Sequence, residues 1–293
     1  MVVALIEGLA ALGHRVSLLA PRGTRVPGAT VIDVPAAVLL GREGDVRSHV
    51  PAGAEILHAH YVVARPPAGV AFVQTLHGNL AAGEALPPNT VFLSWNHAVR
   101  HGATTFAYNG LNPADFTFRA QKNDYDLFIG RLHSVKGYRW AIEAAKRTGR
   151  RLIVAGGWRP SFRRRIRYVG DVDDARKGEL LAGARCLWMP ALWDEPFGLT
   201  LIEALFSGTP VVGTRRGALP EIVTPDVGAL GDTLDELIEG SRTIETRSPE
   251  ACRAHAERYF THITMAEQYV SLYRNLLATG ALGPGRPTPY TIT

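Results

Sequence analysis

Short apolar runs rich in β-branched residues alternate with stretches of helical periodicity along most of the chain. The runs predict strands at 15–20 (RVSLLA), 29–34 (ATVIDV), 70–76 (VAFVQTL), 89–95 (NTVFLSW) and 104–110 (TTFAYNG). A second series falls at 125–130 (YDLFIG), 151–156 (RLIVAG), 185–190 (RCLWMP) and 210–214 (PVVGT). Apolar positions recur at helical spacing over 137–148, 175–184, 199–207, 232–240, 250–259 and 263–278. Alternation of this kind predicts an α/β fold, parallel sheets with helices on both faces.

The chain opens unusually for such a fold. Val2, Leu5, Ile6, Leu9 and Leu12 form an apolar stripe, Gly13 follows at a C-cap position, and the first strand comes only after it. A helix with such a face needs a sheet to cover, and no strand precedes it here. Residues 117–124 are polar and aperiodic and separate the two strand series, so a first domain is expected over 1–120 and a second over 121–262. In 263–278, Met265, Tyr269, Leu272 and Leu276 share one helix face. The segment 280–293 has three prolines and no periodicity, which predicts a disordered tail.

With 46% hydrophobic and 20% charged residues, the composition is that of a soluble globular protein. No apolar run approaches the roughly 20 residues that span a bilayer. The first residues lack the basic start and small-residue cleavage site of a signal peptide. Cys186 and Cys252 are far apart and without metal-ligand spacing, which fits a reducing, cytoplasmic setting. The 32 Lys and Arg exceed the 27 Asp and Glu by five. Such a balance attracts phosphates, nucleic acid or an anionic membrane surface. Only Lys122, Lys136, Lys146 and Lys177 are lysines, and the Arg, Ala, Gly and Pro excess fits coding bias equally well. The net charge by itself selects no partner.

Two segments carry chemistry. In EPFGLTLIEALFSGTPVVG (195–213), the stretch from Leu199 to Phe206 is apolar nearly all round and is expected to be buried. Glu203 lies inside it, and a buried carboxylate costs several kcal/mol unless donors compensate. Gly198 lets backbone pass close to a ligand, and the helix start beyond it offers N–H groups and a positive dipole end to an anion. Glu195 would lie beside that anion. The plainer reading of Glu203 is an internal salt bridge. In FIGRLHSVKG (128–137), Arg131 and Lys136 follow a strand end, where nucleotides bind in open α/β sheets. The plainer reading there is two solvated charges.

Together these segments resemble the retaining glycosyltransferases of family 4, which have the GT-B fold of two Rossmann-like domains facing a cleft. EPFGLTLIEA resembles that family's Glu-x7-Glu motif. GALPEIV (217–223), FIGRLHSVKG and YVGDVDDARKGELLAGARCLWMP (168–190) occur in the family's order and spacing. VALIEGLAALGHRVSLLA, ILHAHYV, TLHG and YNGLNPADF extend the resemblance through the first half. The resemblance implies that Arg131 and Lys136 bind the diphosphate of a nucleotide-sugar donor, and that Glu203 accepts hydrogen bonds from its ribose. It implies that Glu195 holds the transferred sugar with backbone amides of Phe197, Gly198, Leu199 and Thr200, and that His77 contacts the sugar at the reaction centre. It further implies transfer of a hexosyl group with retention from a UDP-, GDP- or ADP-sugar to a small-molecule, glycan or lipid-linked acceptor, without metal and with no cofactor beyond the donor. The last helix, 263–278, would cross back to the first domain. Two departures stand out. The family's initial strand and Gly-rich loop are absent from the first domain, so Met1 is expected to be an internal residue of a longer protein. The segment between His77 and Tyr108 is also short for the family.

Other motifs have plainer readings. Asp171-Val172-Asp173 matches a metal-binding Asp-x-Asp pattern, but acidic residues also suit the start of the helix that follows. His58 and His60 share a strand face without an evident third metal ligand. RPSFRRRIR (159–167) could meet a phospholipid headgroup in a peripheral membrane contact, or form a solvated helix face. No aromatics interleave with basic residues as nucleic-acid stacking requires. Trp140, Trp158, Trp188 and Trp193 read as packing. The alternatives to an enzyme of this kind are a degenerate nucleotide-sugar-binding protein of the same fold, or an isomerase or phosphorylase built on it.

Overall fold

The computed structural model describes residues 1–40, 45–61, 63, 67–81, 83–161 and 163–288. In chain order it contains α1 (Val2–Ala11), β1 (Val16–Ala20), β2 (Ala29–Asp33), α2 (Ala36–Leu39), β3 (Ile56–Ala59), β4 (Ala71–Thr75), β5 (Thr90–Val91) and α3 (Trp95–Arg100). Next come β6 (Asp126–Ile129), α4 (Tyr138–Thr148), β7 (Leu152–Ala155), β8 (Ile166–Gly170), α5 (Asp174–Gly183), β9 (Cys186–Met189) and α6 (Leu199–Phe206). The remainder is β10 (Val211–Thr214), α7 (Leu219–Ile222), β11 (Gly228–Gly231), α8 (Leu234–Arg242), α9 (Pro249–Tyr259) and α10 (His262–Thr279). Short polar side chains start many of the helices. Ser94, Asp173, Thr233, Ser248 and Thr261 each accept a backbone N–H three residues on, the N-cap arrangement.

Two compact units divide the chain, Met1–Gly110 with Thr261–Pro287, and Leu111–Phe260. The second holds one parallel sheet in the order β11-β10-β9-β6-β7-β8. Every residue of the central strand β9 is buried, which explains its unbroken apolar run. Phe128, Val154, Trp188 and Val212 meet Tyr138 and Ala141 of α4 and Leu237 of α8 in one core. That core encloses a charged pair. Arg185 donates to Asp126 at 2.7 and 3.0 Å, Trp188 Nε1 donates to the same carboxylate at 2.9 Å, and both charged side chains are about 5% exposed or less.

In the first unit, β1 and β2 pair in parallel, and β3, β4 and β5 form a separate parallel sheet. Met265, Ala266, Tyr269, Val270, Leu272 and Leu276 give α10 its buried face, and α10 packs against α1.

Several expectations need correction. Of 89–95 only Thr90–Val91 is strand, because Ser94 caps a helix that begins at Trp95. The segment 104–110 makes a single bridge, Phe106 to Phe92. Phe106, Ala107 and Tyr108 are buried like strand residues, but the Tyr108 N–H goes to Gln268 Oε1 and the Gly110 N–H to Met265 Sδ. The run 159–167 contains no helix among its described residues; its last two residues begin β8, with Ile166 inward and Arg167 outward. The break between units falls at 110/111 rather than in 117–124. Phe116 stacks on Phe206 at 5.3 Å, and Arg253 grips the carbonyls of Pro113 and Phe116, so 111–118 belongs with the second unit. Where a disordered tail is predicted, Leu282 is buried, Gly283 accepts from Thr105 Oγ1 at 2.6 Å and Gly285 donates to Thr104. The part of that prediction covering 289–293 lies outside the described residues.

Candidate functional site

β6 and β9 are neighbours in a parallel sheet, so their following loops emerge side by side at its carboxyl edge. The first loop closes through a 3-10 turn, Ser134–Lys136, capped by His133. It ends at Gly137, whose φ of 70° lies in the left-handed region. A Cβ at this glycine would overlap the Pro190 carbonyl oxygen in the second loop. Leu192 N also donates to Val135 O at 2.8 Å. Absence of a side chain at 137 and this hydrogen bond hold the two loops against each other.

The contact brings together residues far apart in sequence. Lys136 Nζ lies 2.6 Å from Glu195 Oε2, and Trp193 Nε1 donates to the same oxygen at 2.9 Å. The Lys136 ammonium also sits 4.8 Å from the centre of the Trp193 ring. The Ala218 N–H fixes the Glu195 carbonyl at 2.9 Å. Arg131 is exposed in the first loop and forms no ion pair among the described residues.

Gly198, with φ 88° and ψ 73°, turns the chain into α6. The first turn, starting at Leu199 and Thr200, directs N–H groups without intrahelical acceptors toward the loop. The Phe197 side chain is 1% exposed and packs on Phe260 at 6.0 Å, so only its backbone can serve a ligand. Glu203 lies one turn inside α6. Its Oε1 pairs with Lys177 Nζ at 3.1 Å, with side chains 12% and 26% exposed. Its Oε2 has no protein partner among the described residues. Burial disfavours the Lys177 charge, but Glu203 and Asp174 outweigh it and raise its pKa above the usual lysine value. The internal salt bridge weighed for Glu203 therefore exists, and it leaves one carboxylate oxygen available.

Anions, hydroxyls and an amide-rich helix start are the complementary chemistry here. Cations at 131, 136 and 177 suit phosphate, and carboxylates at 195 and 203 suit hydroxyls. Sequence reasoning missed Lys177 and Trp193. Lys177 stands four residues past the Asp173 cap, on the turn of α5 that reaches Glu203. Trp193, two residues before Glu195, carried no periodic signal and was assigned to packing. Asp173 caps α5, accepting from Arg176 N at 2.8 Å. Among the described residues no three His, Cys, Asp or Glu side chains gather to hold a metal ion.

In the first unit, His77 follows β4 and is exposed. Its Nε2 lies 3.2 Å from His60 Nδ1. Desolvation, then the neighbouring His77, lower the His60 pKa to about 3. His58 bridges Tyr273 OH at 2.7 Å and Thr75 Oγ1 at 2.8 Å, and its pKa also lies well below the usual value because it is buried. Beneath the turn, buried His97 sits 3.1 Å from the Gly78 carbonyl.

Comparison with known proteins assigns this architecture. Residues 124–244 match the family described as Glycosyl transferases group 1. MMP alpha-(1->4)-mannosyltransferase of Mycolicibacterium hassiacum is 34% identical over 118 residues, 36% of this chain and 28% of that enzyme. The chain spans 28–46% of the length of three such curated relatives. Anabaena HepE, solved in complex with UDP-glucose, shares the fold at 18% identity, with TM-score 0.57 and 72% of each chain covered. AviGT4, a glycosyltransferase involved in avilamycin A biosynthesis, is 31% identical, with TM-score 0.79, and the match covers 96% of this chain and 89% of AviGT4. On that likeness, and with parallel α/β units of the GT-B type, the chain belongs to the glycosyl transferases of group 1.

Proposed function

We propose that the chain transfers a hexosyl group, with retention, from a nucleotide-diphosphate sugar to an acceptor hydroxyl. The reading is carried by the contact of Lys136 with Glu195 and Trp193 at the entrance to α6. A donor diphosphate would displace Glu195 from Lys136 and draw in Arg131. Lys136, Arg131 and the α6 amides from Phe197 to Thr200 then stabilise charge growing on the leaving group. Glu195, freed of its ion pair but still held by Trp193, accepts hydrogen bonds from the sugar hydroxyls. Glu203, fixed by Lys177, receives the ribose diol on its open oxygen. The leaving phosphate oxygen takes the acceptor proton in an ion-pair-like transition state, and no metal is required. For His77 the proposed role is a contact to the transferred sugar. The likeness to a UDP-glucose-binding neighbour and to a mannosyltransferase supports a hexose donor.

Titration calorimetry with UDP-, GDP- and ADP-sugars, beside an acceptor-independent hydrolysis assay, tests the reading. Lys136→Ala and Glu203→Ala are expected to weaken donor binding at least tenfold. Unchanged affinity in both variants would remove the donor site from this region. Binding without hydrolysis or transfer would leave a nucleotide-sugar-binding protein in place of an enzyme.

A further inference from the structure

The positive charge of the chain is gathered in one place. Residues 144–170 hold nine Lys and Arg and no Asp or Glu, so the rest of the chain has 23 cationic residues against 27 acidic ones. Three of the nine are neutralised: Lys146 by Glu143, Arg147 by Asp235, and Arg150 by Asp124 and Glu245. The other six, Arg151, Arg159, Arg163, Arg164, Arg165 and Arg167, are exposed and form no ion pair among the described residues. Most of them sit on the connection from β7 to β8, which has no helix among its described residues. Because the two strands are parallel, this connection must return the length of a strand, about 13–17 Å, at the edge where β8 ends the sheet. At its start stands Trp158, 70% exposed, more than any other large apolar side chain described. Arg165 is tied to the Gly149 carbonyl, which fixes the far end of the connection.

Unpaired like charges repel one another, and one outward charge such as Arg167 is enough to protect a strand edge. Arg165 is held by the Gly149 carbonyl and Arg159 lies over the Tyr138 ring at 5.3 Å, so edge protection leaves Arg163, Arg164 and the exposed indole unexplained. Clustered arginines are attracted to anionic headgroups, and an indole settles at the depth of those headgroups. Single-stranded nucleic acid instead needs successive aromatic platforms, and Trp158 is the one exposed aromatic among the described residues of this stretch. We propose that Trp158, together with Arg159, Arg163, Arg164, Arg165 and Arg167, docks the protein on an anionic lipid surface. The start of this flank adjoins the donor-side loop, since a Cβ at Gly157 would lie 2.8 Å from Leu132, but the inference does not rest on the proposed function.

Co-sedimentation with vesicles of equal parts phosphatidylglycerol and phosphatidylcholine tests the proposal, with pure phosphatidylcholine as the neutral arm. Binding is expected to the anionic vesicles alone and to fall with added salt. Each arginine near such a surface contributes roughly fivefold, so Arg163→Gln/Arg164→Gln/Arg165→Gln should lower partitioning about a hundredfold. Trp158→Ala should lower it further and remove the blue shift of tryptophan fluorescence on binding. A control triple, Arg15→Gln/Arg22→Gln/Arg25→Gln, removes the same charge from exposed sites in the first unit and should keep partitioning within a few-fold. Melting temperatures would confirm that both triples are folded. The proposal is overturned if the parent protein does not prefer anionic vesicles, or if the control triple loses as much. It is also overturned if the flank binds oligonucleotides but not vesicles.

Discussion

Gly137 and Gly149 bracket α4, and together they make an internally controlled experiment. Both are left-handed, with φ of 70° and 69°. Alanine at either site carries the same backbone penalty, about 1–2 kcal/mol. Their surroundings differ. A Cβ at 149 meets nothing nearer than the Arg165 guanidinium at 3.7 Å, whereas a Cβ at 137 would overlap the Pro190 oxygen and lie 2.7 Å from its carbonyl carbon. The obstacle at 137 is backbone, so it cannot rotate away, and overpacking of this kind adds about 1–3 kcal/mol. Gly149→Ala is thus expected to cost about 1–2 kcal/mol, and Gly137→Ala about 2 kcal/mol more. Urea denaturation followed by tryptophan fluorescence measures both. Relief of the clash at 137 requires the loops to part, so Gly137→Ala should also weaken nucleotide-sugar binding while Gly149→Ala leaves it intact. Equal costs for the two substitutions would show that loop-to-loop contact is not what demands glycine at 137.

Three other outcomes are expected. Burial holds His97 at about 4 against 6.5 when unfolded, so the unfolded chain binds the extra proton between those values. Stability is then complete above pH 6.5 and falls by about 3 kcal/mol as the pH drops to 4, with His58 and His60 acting in the same direction; thermal melts that do not move across this window would contradict it. Asp126→Ala leaves Arg185 buried without its carboxylate and should cost about 3–5 kcal/mol in denaturant titrations, and a loss below 1 kcal/mol would mean that water replaces the pair. Trp193→Phe keeps a ring beside Lys136 but removes the N–H on Glu195, and should raise donor KM about tenfold with little change in melting temperature. A KM unchanged by that substitution would return Trp193 to a packing role.

Legibility in the sequence followed burial and periodicity. Fully buried strands such as β9 and β10, and capped helices such as α5, α9 and α10, stood out because their local signals agree with their final environment. β11 was missed because its sequence, Gly228–Gly231, has two glycines and no β-branched residue, and the pairing with β10 alone makes it a strand. β8 was hidden by the arginines around it. At the site, the motif residues were readable one at a time, but their contacts depend on which loops the sheet order places together. Nothing in a linear reading pairs Lys177 with Glu203, or Trp193 with Lys136.

The path of the chain has a consequence for biosynthesis. Its first unit is completed by α10, whose Tyr269 and Tyr273 reach Thr75 and His58, yet α10 is synthesised only after the whole of Leu111–Phe260. At usual translation speeds those ~150 intervening residues take roughly 8–30 s. During that interval the nascent amino-terminal half lacks the helix that buries its sheet, whereas the inserted half has all its strands and can mature first. Ribosomal pausing or premature termination near the carboxyl terminus would therefore damage the earliest-made part of the protein, and chaperone demand should centre there.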